Sequence, residues 1–160
     1  MVEFPDMTES SAAFPKRDPW HRPGAKALIV HEGKVLLIRE RRSDGYIITD
    51  FPGGGIEFGE ELVNALQREV FEEICLKIIP ERVVGAWSFV LWEHNVHIVC
   101  IGYQCRLVEP ITGEPVLDFS KNPADEHITE ALWMTPAEIL AEPKLLQSDE
   151  MLGAVQNLTI

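Results

Sequence analysis

Long hydrophobic runs are absent from this sequence: no apolar stretch approaches the roughly 20 residues that a bilayer-spanning helix needs, so no membrane partner is expected. The N-terminus is acidic and proline-rich, unlike the basic and apolar start of a secretory signal. Cysteine is scarce. Cys75, Cys100 and Cys105 are odd in number and too few for the disulfide framework of a small secreted domain, which suits a reducing cytoplasm. Positive charge is short as well, with 14 Lys and Arg against 26 Asp and Glu and a formal net charge of -12. Binding of RNA or DNA through neutralised phosphates needs clustered cations, so a nucleic-acid partner is not expected. A small anionic ligand is compatible with this balance if a metal ion screens it. Internal repeats and low-complexity tracts are also missing.

What is present is a chain of 160 residues, 46% apolar and 25% charged, enough to bury one core without disulfides and too short for an independent second domain. Pro5, Pro15, Pro19 and Pro23 among polar residues predict an irregular arm over 1–22, leaving a single domain over 23–160. The runs AKALIV and VLLIRE around HEGK predict a β-hairpin turning at Gly33. RRSDGYIITDF reads as a loop entering a short strand, which Pro52 and the triplet Gly53, Gly54 and Gly55 bring to an end. Leu62, Val63, Leu66, Val70 and Ile74 recur at helical spacing and predict a helix from Glu60 to Ile74 with acids in its first turn.

After Pro80, VVGAWSFVLW and VHIVCIGYQCRLV predict two antiparallel strands joined near Glu93 to Asn95. Residues 110–127 read as a loop and ITEALWM as a further strand. Thr135, Pro136 and Glu138 carry the N-cap, first-position and capping-box signals of a short helix through Leu140, and a last helix is expected over Ser148 to Gln156.

On a helical wheel, Glu69, Glu72 and Glu73 fall in one arc at the edge of the apolar stripe. Carboxylates at such spacing repel, at about a few tenths of a kcal/mol per pair. A solvated acidic face is one reading of them. The other is a hard divalent cation, Mg²⁺ or Mn²⁺, whose oxygen-rich shell offsets the repulsion and retains water and substrate phosphate. Directly upstream, Gly53, Gly54 and Gly55 permit positive φ and close backbone approach, so that a carbonyl or amide points into the same site; a plain tight turn is the alternative.

Gly54, five residues, Glu60, seven residues and then Arg68-Glu69-Val70-Phe71-Glu72-Glu73-Ile74-Cys75-Leu76 resemble the Nudix box, GX5EX7REUXEEXGU with U a bulky aliphatic residue. Every specified position matches except one, where Cys75 replaces the final glycine. The box runs from Gly54 to Leu76, and with the flanking hairpin, the later strands and the Trp133 region the resemblance covers most of residues 24–142. It implies an α+β fold, an α/β/α sandwich around a mixed β-sheet, and cleavage of nucleoside diphosphates linked to another group. Carried over by position, Glu69 and Glu73 would be the principal metal ligands. Glu72 would bind a further metal or its waters, Arg68 would orient Glu72, and Glu60 would support the loop-to-helix junction. The Gly53 carbonyl would add a metal oxygen, and Gly54 and Gly55 would lie against substrate. The implied cofactor is Mg²⁺ or Mn²⁺, acting on a small nucleotide-type diphosphate through activated water with no protein nucleophile. A nucleotide sensor that binds without turnover is the rival reading. At Cys75 a β-carbon in the left-handed conformation costs roughly 1–2 kcal/mol, so the helix exit is expected to carry that strain or to change route.

Weaker signals surround the box. His94, His97, Cys100 and Cys105 do not read as a zinc site, because strand alternation sends His97 and Cys100 to opposite faces. Glu93, Asp125, Glu126 and Glu130 are candidates for a general base, Glu126 first, each with a solvated surface acid as the alternative. Arg39, extended by Arg41 and Arg42, is a candidate for substrate phosphates, with a solvated strand end as the equal alternative. Among Trp87, Phe89 and Trp92, one is a candidate to stack on a base, with packing in the core or across a homodimer as the stronger alternative.

Overall fold

The near-continuous apolar run from Ala25 to Val30 is the mark of a strand buried on both faces. A computed structural model describes residues 19–42, 45–121 and 127–160, without the side chains of Glu93 and His127, and in it this run lies in a central strand, β1 (Trp20–His31). The other elements are β2 (Lys34–Arg41), β3 (Ile47–Asp50), α1 (Leu62–Ile74), β4 (Ile78–Leu91), β5 (Val96–Leu107), β6 (His127–Met134), α2 (Pro136–Ala141) and α3 (Asp149–Gln156), with a single 3-10 turn at Trp92–His94. Strand order is β3-β2-β1-β5-β4, with β6 also paired to β2. β1 and β5 run parallel and every other pair is antiparallel, giving the expected mixed sheet.

Side-chain alternation divides the core in two. Ala25, Ala27, Ile29, Leu36 and Ile38 pack on Leu66, Val70 and Ile74 of α1. Leu28, Val35 and Leu37 pack on Ile139 of α2 and on Met151, Ala154 and Val155 of α3. Each large aliphatic side chain buried this way contributes about 1.5–3 kcal/mol. The result is the α/β/α sandwich, with α1 on one face and α2 and α3 on the other. No helix among the described residues is long and apolar enough to cross a membrane.

One feature of the sheet creates the site. β1 and β2 form the expected hairpin through Glu32 and Gly33, both at positive φ, as a two-residue turn that follows strand twist requires. Only Val30–Val35 and His31–Lys34 are in register between them. Toward the start of β1 the strands part, and the segment from Pro52 to Ile56 takes over the vacated edge. Ala27 N–H donates to Pro52 O at 2.8 Å, Ala25 N–H to Gly54 O at 2.9 Å, and Ile56 N–H to Pro23 O at 3.1 Å.

Several boundaries differ from those read in the sequence. β1 begins at Trp20, so regular structure reaches into the last residues of the stretch read as an arm; residues 1–18 lie outside the described residues. α1 starts at Leu62 rather than Glu60, and its first turn holds no acid. The carboxylate of Glu60 is turned to Glu57 N–H and to Arg68 instead of the helix dipole. Val63 faces outward, and Ala65 is buried in its place. β4 begins before Pro80, and the register shifts between Pro80 and Arg82, an irregularity of the kind that tolerates a proline without an N–H. The capping box of α2 forms as expected, with Glu138 N–H on Thr135 Oγ1 at 3.2 Å and Thr135 N–H on Glu138 Oε2 at 2.8 Å.

Cys75 leaves α1 in the left-handed conformation, φ 57° and ψ 26°, with its N–H on Phe71 O at 3.0 Å. The chain therefore follows the glycine's route while carrying a β-carbon. Cys75→Gly is expected to raise the denaturant midpoint at unchanged slope. Strain relief of roughly 1–2 kcal/mol, less about 0.4–1 kcal/mol of unfolded-chain entropy, leaves a small net gain. A fall in midpoint would show that thiol packing outweighs the strain.

Candidate active site

Where β1 and β2 part, a cleft of about 590 Å³ opens, within the roughly 300–1,000 Å³ of small-molecule sites. Its polar end is built by Gly53, Gly54, Gly55, Glu69 and Glu73, and its apolar wall by Phe89, Leu91, Trp92 and Ile98. α1 delivers the two glutamates because residues four apart share a helix face. Glu73 is only 2% exposed. Its Oε2 accepts the Gly53 N–H at 2.7 Å, which fixes the carboxylate against the glycine loop.

Each glycine of the triplet makes room for a different protein group. Gly53 has φ of 127°, and a β-carbon there would collide with the Ala25 carbonyl oxygen. At Gly54 a β-carbon would lie 2.6 Å from Cδ of Glu69. At Gly55 it would lie 2.8 Å from Cζ of Arg22. Close approach is thus made by a strand backbone, a carboxylate and a guanidinium, a sharper division than a loop merely open to ligand.

Arg68 is the organiser of the helix face. Its Nε and Nη2 hold both oxygens of Glu60 at 2.8 Å, Nη1 reaches Glu69 Oε1 at 2.8 Å and Glu72 Oε2 at 3.2 Å, and Nη2 also donates to Gly55 O at 3.1 Å. These contacts match the five donors that a guanidinium carries. The Arg68 hydrogen bonds, with Glu57 N–H, push the Glu60 carboxyl down to about 2.

Lys26 is the charged residue inside the apolar run of β1. Its Nζ sits 2.9 Å from Asp50 Oδ2 and donates to Gly53 O at 3.0 Å. Burial opposes its charge, yet Asp50, Glu73 and Glu40 outweigh that and hold its pKa above the ordinary lysine range. The opposite balance applies to Glu40, whose pKa burial raises against the pull of Lys26. Cys100 lines the cleft, but burial pushes its thiol up to about 11, so it is no nucleophile near neutral pH.

Of the residues singled out in the sequence, Glu69, Glu73, Gly53, Gly54 and Gly55 come together on the cleft, and Glu60 and Arg68 stand behind them. Glu72 does not join the cleft wall; its side chain is 43% exposed and turned to Arg68. The Gly53 carbonyl, expected to face a metal, accepts from Lys26. Arg39, expected to meet substrate phosphates, is instead paired with Glu130 at 2.9 Å across β2 and β6. Successive strand residues point opposite ways, so its neighbour Glu40 lines the cleft while Arg39 does not. Arg42 is the member of that basic patch that reaches the cleft. Trp87 is buried against Phe51, whereas half-exposed Trp92 lines the cleft. Glu126 and Asp125 lie outside the described residues, as does the side chain of Glu93.

Lys26, Asp50 and Arg22 were not anticipated. A lysine inside an apolar strand was the available signal, since a buried charge demands a partner; Arg22 and Asp50 carried none. Among the described residues no three acidic, His or Cys side chains converge on one point. A cation held here would draw on Glu69 and Glu73 and complete its shell with water and ligand oxygens, as Mg²⁺ commonly does.

Comparison with known proteins follows the same outline. The model of the NUDIX domain family matches residues 20–154. A MutT NUDIX hydrolase from Burkholderia pseudomallei is 26% identical with TM-score 0.63, over 87% of this chain and 98% of that one. The MutT protein from Methanosarcina mazei Go1 is 23% identical with TM-score 0.67, over 87% and 92%. A C. elegans Ap4A hydrolase is 15% identical with TM-score 0.61, over 86% and 93%, and shares the fold.

Proposed function

The chain belongs to the Nudix family of hydrolases, and from that premise we propose that it cleaves the phosphoanhydride bond of a nucleoside diphosphate linked to another group, using Mg²⁺ or Mn²⁺. The observation that carries this reading is that Glu69 and Glu73 line one cleft together with the apolar and aromatic side chains of Phe89, Leu91, Trp92 and Ile98. The donor set suits a hard divalent ion: two carboxylates one helical turn apart, with Asp50 and Glu40 adding negative charge around Lys26. When bound, the ion would neutralise the diphosphate and lower the pKa of a water molecule.

The chain's own residues do the positioning. Gly53 N–H holds Glu73, Arg68 holds Glu69, and Lys26 ties the glycine loop to β1 through Gly53 O and Asp50. Such prior fixing avoids reorganisation at the moment of reaction. Glu72, exposed and paired with Arg68, would bind a second ion or its waters. The nucleoside would lie along Phe89, Leu91 and Ile98, with Trp92 offering a face for the base. A hydrolase of related fold named for Ap4A lends the substrate class support.

A panel of nucleoside diphosphate compounds, incubated with Mg²⁺ and scored by product, tests the proposal. Release of two phosphate-bearing or phosphate-derived products that stops on chelation and resumes with added Mg²⁺ is expected. Binding of a panel member without any product would favour the sensor reading instead.

Gly54→Ala probes the positioning directly. The new β-carbon displaces the flexible end of Glu69 rather than backbone, so melting temperature should hold while turnover falls about tenfold, less than the roughly 10²-fold that a full ångström of misplacement costs. Unchanged turnover would show that Glu69 needs no fixed place.

A further inference from the structure

We propose that Arg22 is the residue that grips the substrate's diphosphate, a guanidinium seated on the bare face of Gly55 in the cleft that Glu69 and Glu73 also line; the inference rests on the function proposed above. A protein of net charge -12 that takes a polyanion into a cleft lined by Glu40, Asp50, Glu69 and Glu73 needs a cation with donors to offer. Lys26 is committed to Asp50 and Gly53 O, all the donors of Arg68 are taken by Glu60, Glu69, Glu72 and Gly55, and Arg42, which also lines the cleft, has a partner of its own. Arg22 lines the cleft, is exposed, and its side chain makes no hydrogen bond or ion pair with the described residues.

Its position fits the task. Arg22 is in register with Ile98 of β5, and Ile98 with Phe89 of β4. Directly paired strand residues point to the same face, so these three form a row with the cation at one end and the apolar floor at the other. Gly55 supplies the seat: a β-carbon there would lie 2.6 Å from Nε and 2.8 Å from Cζ of Arg22. The carbonyl of the same glycine accepts from Arg68, which in turn holds Glu69. Arg22 is therefore located relative to the carboxylates by one residue of the loop. A planar fork of donors matches two phosphate oxygens at once, which an ammonium does not.

Calorimetric titration with inorganic pyrophosphate in Mg²⁺ tests this. Arg22→Ala is expected to weaken binding about 10- to 100-fold, the range for charge-assisted hydrogen bonds, with Arg22→Lys intermediate. Gly55→Ala should weaken it comparably by unseating the guanidinium, and should add nothing in the Arg22→Ala background, because the two changes act on one interaction. Arg106→Ala, which removes a cation outside the cleft, should leave binding unchanged and controls for net charge. Folding of Arg22→Ala is expected, as no bond to the described residues is lost, and Arg22→Lys gives an independent reading. Wild-type affinity in Arg22→Ala, or full additivity of Gly55→Ala with it, overturns the inference alone. Failure of wild-type protein to hydrolyse any panel compound overturns the proposed function and this inference with it, whereas hydrolysis without binding of pyrophosphate overturns the inference alone.

Discussion

Glu73→Gln is expected to fold as the wild type does and to turn over at least about 10²-fold more slowly, the usual cost of removing one preorganised electrostatic group. Glutamine keeps the shape of the side chain and one oxygen to accept the Gly53 N–H, now at 2.7 Å. What it lacks is the charge. The residue is 2% exposed, so neutralising it also removes the cost of burying a carboxylate, and stability should not fall on that account. One opposing effect is present: Lys26 loses one of the three carboxylates, Asp50, Glu73 and Glu40, that hold it charged. The ion pair with Asp50 at 2.9 Å remains to keep it in place. Turnover and denaturant midpoint should therefore separate, with the first collapsing and the second nearly unmoved. Near wild-type turnover in the folded variant would remove Glu73 from the metal-binding assignment.

The legible parts of this chain are those whose physics is local. The helix of the Nudix box and the capping box at Thr135 each depend on residues within a turn or two and are readable from spacing, whereas the sequence leaves the exit at Cys75 between a strained left-handed route and another, and the structure takes the left-handed one. The two long strands around Asn95 are readable for a similar reason, since both alternate and are joined by a short connection. What the sequence did not disclose is set by contacts between distant segments. That the strands part on the N-terminal side of Val30 and that the loop from Pro52 replaces β2 along β1 depends on hydrogen bonds spanning some thirty residues of chain, between Ala25 or Ala27 and the segment from Pro52 to Gly54. From this fork follow the burial of Lys26, its pairing with Asp50 and the seat of Arg22. The two readings of Arg39, phosphate contact and strand end, are undecided in the sequence for a related reason: strand periodicity says that Arg39 and Glu40 face apart, but not which of the two looks into the cleft.

Arg68→Lys is expected to retain the fold and to lower turnover by about 10²-fold, because the fork that fixes Glu69 would be replaced by a single ammonium, and an ångström of misplacement carries that cost. The charge is kept, so the loss reports geometry. A lysine has three donors on one atom and is unable to span Glu60, Glu69, Glu72 and the Gly55 carbonyl together. Stability should carry a second, pH-dependent signature through Glu60. Hydrogen bonds from Arg68 lower the carboxyl of Glu60 from 4.5 to about 2 in the folded protein. A depressed folded-state value means that the folded form holds the ionised carboxylate more favourably than the unfolded chain does. That contribution is fully present above the unfolded value near 4.5 and is lost as pH falls through about 2. With lysine at position 68 the Glu60 value should move back toward the ordinary carboxyl range. The midpoint difference between wild type and Arg68→Lys should accordingly be constant above about pH 5 and shrink progressively between about pH 4.5 and 2. Denaturant titrations across that window, paired with the Glu60 titration followed by carboxyl-carbon NMR, measure both halves. A midpoint difference that stays constant down to pH 2 would show that Arg68 stabilises the junction without acting through Glu60, and would leave its role to the hold on Glu69 alone.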